Sequence, residues 1–227
     1  MFEISEISEV GAPTTRSGRL PAALAKISSA ALALTVLPMI YLHLVSIGRL
    51  DPLHTTVSDY VSVPGGAAFL ALSTIALALA TALLPVRLGL AGRPVPPTAT
   101  IALVLGCVGL FASVVFPTNA LGTAADEATV LHRYAAALFF VAVPIAAAAL
   151  ARAGTNRAAR WLAPLSALAG VAFLVSHIPL VFPDFPHAEL IGSILPRGLV
   201  ERLLLLVDIA TIAMLGHAAP TRRTVRS

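Results

Sequence analysis

The chain is short of almost everything a water-facing surface requires. Only 11% of its 227 residues are charged while 58% are hydrophobic, against roughly 25% charged in ordinary soluble domains. Too few charges exist to cover a soluble surface, so the class is integral membrane. Cysteine occurs once, at Cys107, which excludes an intrachain disulfide and a cysteine-built metal site. Lying inside an apolar run, it reads as a small core residue. Lysine also occurs once, at Lys26, and the remaining basic residues are arginines, a skew that points to a GC-rich bacterial genome. A net charge of +4 would suggest nucleic acid in a soluble protein. Here the basic residues stand between apolar runs, where they report membrane topology instead, and no nucleic-acid partner is expected.

What the sequence has in quantity is long apolar runs. A helix needs about 20 apolar residues to cross roughly 30 Å of hydrocarbon. Six runs answer to that length, at residues 27–47, 66–88, 98–116, 124–150, 162–181 and 198–215. Hydrocarbon leaves backbone groups no water to bond, and the runs are too continuous for barrel strands, so helices are expected. Breakers separate them: Pro64-Gly65-Gly66, the stretch 92–97, Pro117, Gly154, Pro183 with Pro186, and Pro196. Thr123-Ala124-Ala125-Asp126 reads as a capping box opening the fourth helix, and Pro38 and Pro144 fall inside the first and fourth, where they should kink them. The fold class is therefore all-α, a polytopic six-transmembrane-helix bundle over residues 27–216. Residues 1–26 read as a disordered cytoplasmic tail and 217–227 as a basic one. The first run exceeds the 7–15 residues typical of a signal peptide's apolar region and reads as a retained helix.

Arginine placement sets the expected orientation. Arg16, Arg19, Lys26, Arg87, Arg93, Arg152, Arg157, Arg160, Arg222, Arg223 and Arg226 fall on one side of the alternating runs. The other side keeps Arg49 and Arg197 in loops, with Arg133 and Arg202 just inside helices. The positive-inside rule then predicts a bacterial cytoplasmic (inner) membrane protein with both termini cytoplasmic. Trp161 would anchor the fifth helix at the inner interface.

That orientation gathers the chemistry on the outer side. His43, His54, His132, His177 and His187, all three tyrosines and most acidic residues fall there, including the polar loop DPLHTTVSDYVSVPGG after the first helix. At 1.5 Å per residue, His43, His132, Arg133, His177, Glu201 and Arg202 lie at comparable depth, with Asp208 near the midplane. Glu201 and Asp208 are seven residues apart and share one helix face. An ionisable group at mid-membrane costs roughly 2.5–3.5 kcal/mol unless paired or hydrated. The expectation is an outward-opening polar pocket formed by His43, His54, Ser58, Asp59, Tyr60, His132, Arg133, His177, Glu201, Arg202 and Asp208, with Arg133 as partner of Asp208 and His43 second.

Each of these residues also has a plainer reading. Thr56-Val57-Ser58-Asp59 fits a capping box opening a short interfacial helix, with Tyr60 an interface anchor. His132-Arg133 could fork around a phosphate or carboxylate, or serve as a structural ion pair. Ser176-His177 suggests a nucleophile and base, but neighbours on a helix point about 100° apart. A metal, zinc first, would draw on His43, His132, His177 and Asp208, yet no helix supplies a paired motif. Arg202 could simply snorkel outward.

With those residues in hand, the six-helix plan, DPLHTTVSDYVSVPGG, HRYAAALFF and GLVERLLLLVDIA together resemble the bacterial membrane family catalogued as domain of unknown function 998, from about Lys26 to Gly216. The resemblance implies the topology and no activity. A weaker similarity is to alkaline ceramidase-like membrane hydrolases, which set Ser, Asp and three His around zinc in seven helices. This chain has one helix fewer and no paired histidines.

Three functions follow as expectations. The first is a non-catalytic protein that binds a lipid headgroup or small anionic ligand, or serves in a larger assembly with a second copy or another membrane protein. Membrane lipids are then partners, Arg133 and Arg202 hold the anion, and Ser58, Asp59 and Tyr60 close over it. The second is a membrane-embedded hydrolase of a lipid-linked substrate, with or without metal. The third is a small-solute transporter built from three-plus-three inverted helices.

Overall fold

The structure, a computed structural model, describes residues 19–155 and 157–217. Six long helices carry the fold: α1 (Arg19–Val45), α2 (Gly66–Leu90), α3 (Pro97–Val115), α4 (Glu127–Arg152), α5 (Ala159–Ser176) and α8 (Arg197–Gly216). Two short helices, α6 (Ile178–Val181) and α7 (Ala188–Ile194), lie between α5 and α8, and a 3-10 turn, Ser58–Ser62, lies between α1 and α2. No strand occurs among the described residues. Five helices are long and apolar enough to cross a membrane: α1 to α4, and α5 taken on through α6 to Val181. The sixth run also folds as one helix, 20 residues long. It falls outside that set because Glu201, Arg202 and Asp208 interrupt its apolar character.

Several boundaries differ from expectation for identifiable reasons. α1 begins at Arg19, so the segment 19–26 expected as tail is helical; the rest of both expected tails, residues 1–18 and 218–227, lies outside the described residues. α4 opens later than the expected capping box. Asp126 is the N-cap and accepts from the Thr129 backbone N–H at 2.8 Å, while Thr123 Oγ1 donates to the Ala120 carbonyl instead. The fifth run breaks at His177, two residues before Pro179, whose ring nitrogen has no hydrogen to continue the helical ladder. Pro38 and Pro144 do lie inside helices, as do Pro85 and Pro164.

Successive long helices pack on one another, and α8 returns to meet α5, α2, α4 and α1. In hydrocarbon such association rests on close packing, which small residues permit. A Cβ on Gly109 of α3 would stand 2.5 Å from the Ala135 carbonyl of α4, so only glycine allows that approach. Three apolar clusters run along the bundle. One, with Leu84, Leu88, Leu150 and Leu215, lies toward the end where α2, α4 and α8 finish. A second, with Leu77, Phe139, Phe140 and Leu204, fills the middle. The third, Leu42, Tyr60 and Val63, lies under the 51–65 loop at the opposite end, which we term the rim.

Candidate functional site

The polar loop after α1 is bound to the first turns of α8. Backbone groups entering an apolar layer need partners, and α8 supplies them. The Glu201 carboxylate accepts from the Val57 N–H at 2.8 Å, and Arg202 Nη1 donates to the Thr55 carbonyl at 2.7 Å. The Leu199 N–H donates to the Leu53 carbonyl at 3.1 Å. The approach depends on Gly198, where a Cβ would stand 2.2 Å from the Thr55 oxygen. Adjacent opposite charges, Glu201 and Arg202, thus grip a donor and an acceptor of the same loop.

A chain of hydrogen bonds continues from Arg202. Its Nη2 donates to the Tyr60 hydroxyl at 3.0 Å, and its guanidinium lies over the Tyr60 ring, 5.5 Å from the centroid. The hydroxyl also pairs with His43 Nδ1. Tyr60 is 2% exposed, so it acts as a buried bridge between α8 and α1 rather than an anchor in the interface. Asp59 closes the loop on itself by accepting from the Thr56 N–H at 2.6 Å and the Thr56 hydroxyl at 2.8 Å, the backward half of the expected capping box. Thr56 and Ser58 hydroxyls also pair, at 2.9 Å.

Beneath this loop is a cavity of about 130 Å3 between α2, α3, α4 and α8. Its wall is mostly apolar, with Leu70, Leu77, Leu110 and Phe139 among the residues that face it, and Ser58, Thr74 and Ser113 add hydroxyls. Its ionisable lining residues are Glu201 and His132. His132 Nδ1 lies 2.8 Å from the Ser113 carbonyl and 3.0 Å from the Phe116 carbonyl, both at the end of α3. Helix ends leave carbonyls without partners, and this imidazole serves two of them. Since both partners only accept, Nδ1 carries a hydrogen and Nε2 is the ring nitrogen left for other partners.

The remaining expected site residues go elsewhere. His54 Nδ1 donates to Asp51 at 2.6 Å in the exposed loop, and with the Leu53 N–H this holds the Asp51 carboxyl below its usual range. Arg133 is exposed and does not meet Asp208. Asp208 instead accepts from Ser166 of α5 at 2.5 Å, with no exposure to solvent and its second oxygen unpartnered. The expected alternative partner, His43, is engaged with Tyr60. Glu201 and Asp208 do share the inward face of α8, both buried. Ser176 and His177 do approach one another, at 3.3 Å, because the helix ends between them. Both donate to the Phe173 carbonyl, at 2.7 and 2.9 Å, so His177 Nδ1 is not a base toward the serine. The expected metal set disperses: His43, His132, His177 and Asp208 each have a different partner, and no group of three or more potential ligands forms among the described residues.

Two contributors escaped the sequence reading. Ser166 is a lone hydroxyl in an apolar run, and its only sign was that Asp208 needed some partner. Arg87, expected as a loop charge, bridges three helices by donating to Ser28 Oγ at 2.8 Å and to the Gly216 carbonyl at 2.9 Å. It thereby neutralises the C-terminal end of α8, where helix dipoles favour a cation.

Residues 29–218 match the family described as protein of unknown function (DUF998), and the chain belongs to that family. No curated protein and no solved structure matches it.

Proposed function

We propose that this member of the DUF998 family spans the bacterial inner membrane six times with both termini cytoplasmic, and that its cavity beneath the 57–61 loop receives a small ligand. The sixth span would be α8, whose 20 residues give about 30 Å at 1.5 Å per residue. Its three interior charges do not argue against a span, because charged residues in membrane helices face the protein interior, and Glu201 and Asp208 are buried by their neighbours.

The observation that carries the ligand reading is that Glu201 and His132 both line a mostly apolar wall. A cavity of about 150 Å3 holds a benzene-sized molecule, so this one suits a compact apolar body. The Glu201 carboxyl oxygens favour a ligand that donates hydrogen bonds or carries positive charge, and His132 adds a second polar edge. Arg133 and Arg202, the groups expected to hold an anion, do not line this cavity. Arg202's terminal nitrogens are already engaged with Thr55, Gly198 and Tyr60.

Purified full-length protein titrated with cyclohexylamine and with methylcyclohexane tests this reading through melting temperature. The amine should stabilise saturably, Glu201→Gln should remove most of that effect while keeping the hydrocarbon response, and Ala136→Phe should block both. Failure of either probe to stabilise the native protein ends the proposal. For topology, single cysteines at Ser62 and Arg160, in a Cys107→Ser background, should label from opposite sides of the membrane.

A further inference from the structure

A second cavity, of about 460 Å3, opens at the rim among the 51–56 loop, the end of α5, α7 and the start of α8, and shares no lining residue with the first. Its polar lining is His54, Ser176, Ser193 and Arg197, against Pro179 and Leu180. Arg197 is half-buried, and no hydrogen bond or ion pair holds its guanidinium among the described residues. Other basic side chains stand near it. Arg197 and Arg133 both lie within electrostatic range of His177, and His54 lines the same cavity from the loop.

Among the described residues no carboxylate lines this cavity, and Glu201, within electrostatic range of Arg197, is bonded to the Val57 N–H. Asp51 is outside the lining and is committed to the Leu53 N–H and to His54 Nδ1. Its bond to Nδ1 leaves His54 Nε2 directed elsewhere. Ser176 and Ser193 direct their hydroxyl hydrogens to the Phe173 and Leu190 carbonyls. The groups available to a ligand are therefore a guanidinium with a free fork and an imidazole edge, in a concave site bordered by apolar side chains.

We propose that this cavity binds a phosphate group, with Arg197 forking onto two of its oxygens and His54 contacting a third. Phosphate suits the site because guanidinium and phosphate pair bidentately, and because a rim cavity with apolar borders admits a headgroup with part of its chains. Two sources share that chemistry, a membrane phospholipid and a soluble phosphate ester.

The test uses full-length protein in a neutral maltoside detergent, with dioctanoyl phosphatidic acid, dioctanoylglycerol and glycerol phosphate as probes, read by thermal stability and native mass spectrometry. The phosphatidic acid should bind saturably and the uncharged diacylglycerol should not. Loss of a bidentate arginine contact should weaken binding roughly tenfold or more in Arg197→Gln, with Arg197→Lys intermediate and His54→Gln weakened less. Arg160→Gln, at the far end of α5, should bind as the native protein does. Stabilisation by glycerol phosphate as strong as by the lipid identifies a soluble ester, and stabilisation by the lipid alone identifies a phospholipid. Equal binding of phosphatidic acid by the native, Arg197→Gln and His54→Gln proteins overturns the proposal, as does binding of neither phosphate probe.

Discussion

Glu201 and Asp208 stand on one face of α8, seven residues apart, yet their surroundings differ completely. Glu201 has a backbone donor from a distant loop and a cavity beside it. Asp208 has one serine and an oxygen with no partner, closed in by α5 and its neighbours. At the rim Glu201 and Arg202 therefore have assigned structural partners, whereas the middle of the bundle keeps one carboxyl that is under-satisfied. A buried polar group without a partner costs about 1–3 kcal/mol, so the two positions should respond in opposite ways when their charge is removed.

The largest effect is expected where the rim is closest packed. Gly198→Val places side-chain carbon against the Thr55 and Pro52 carbonyls, 2.2 and 2.7 Å from the glycine's would-be Cβ. Overpacking of this kind costs roughly 3 kcal/mol and should release the loop, seen as a lowered melting temperature with fast amide exchange at Val57. Ser166→Ala strips Asp208 of its sole donor and should destabilise by about 2 kcal/mol. Asp208→Asn should be neutral or stabilising, since it takes away a buried ionisable group while an amide oxygen still accepts from Ser166. A marked loss in Asp208→Asn with little loss in Ser166→Ala would show that an ionised Asp208 has a favourable partner and would erase the contrast.

Glu201→Ala should cost about 1.5–3 kcal/mol, the range for hydrogen bonds to charged groups, with Glu201→Gln recovering part of it. If exchange at Val57 is unchanged in Glu201→Ala, the carboxylate does not hold the loop. Tyr60→Phe breaks the link between Arg202 and His43 and should cost about 1 kcal/mol, leaving the loop docked through Thr55. The smallest effect concerns Asp126, an exposed carboxylate that caps α4. Its bonds to Thr129 hold its folded pKa below the ordinary value. Its contribution is thus fully present above the unfolded-state carboxyl pKa of about 4 and is lost as pH falls through the lower folded value. Asp126→Ala should lower stability slightly at neutral pH and leave it unchanged at low pH, which flattens the acid limb of a stability–pH curve.

The opening of α4 also shows where pattern reading loses resolution. The Thr123–Asp126 spacing satisfies a capping box, but two cap residues compete within four positions, and Asp126 prevails because its side chain reaches the Thr129 N–H. For α8, the sequence indicated both that Glu201 and Asp208 share a face and that they avoid lipid. It named the wrong partner for Asp208 because Arg133 has the complementary charge, and depth along a helix says nothing about rotation around it. His132 illustrates the same limit. Its depth was legible, but its role on the α3 carbonyls depends on how α3 and α4 rotate against each other.

By itself the sequence determined the helical class, the positions of the long helices and the grouping of polar residues toward one end. These follow from the length of apolar runs and from the cost of unpaired polar groups in hydrocarbon, both properties of local composition. Tertiary structure alone decided which charge meets which partner: Glu201 with Val57, Arg202 with Thr55 and Tyr60, Asp208 with Ser166. Hydrogen bonds act over about 3 Å and demand alignment, so small rotations of packed helices reassign them while leaving every hydrophobic run unchanged.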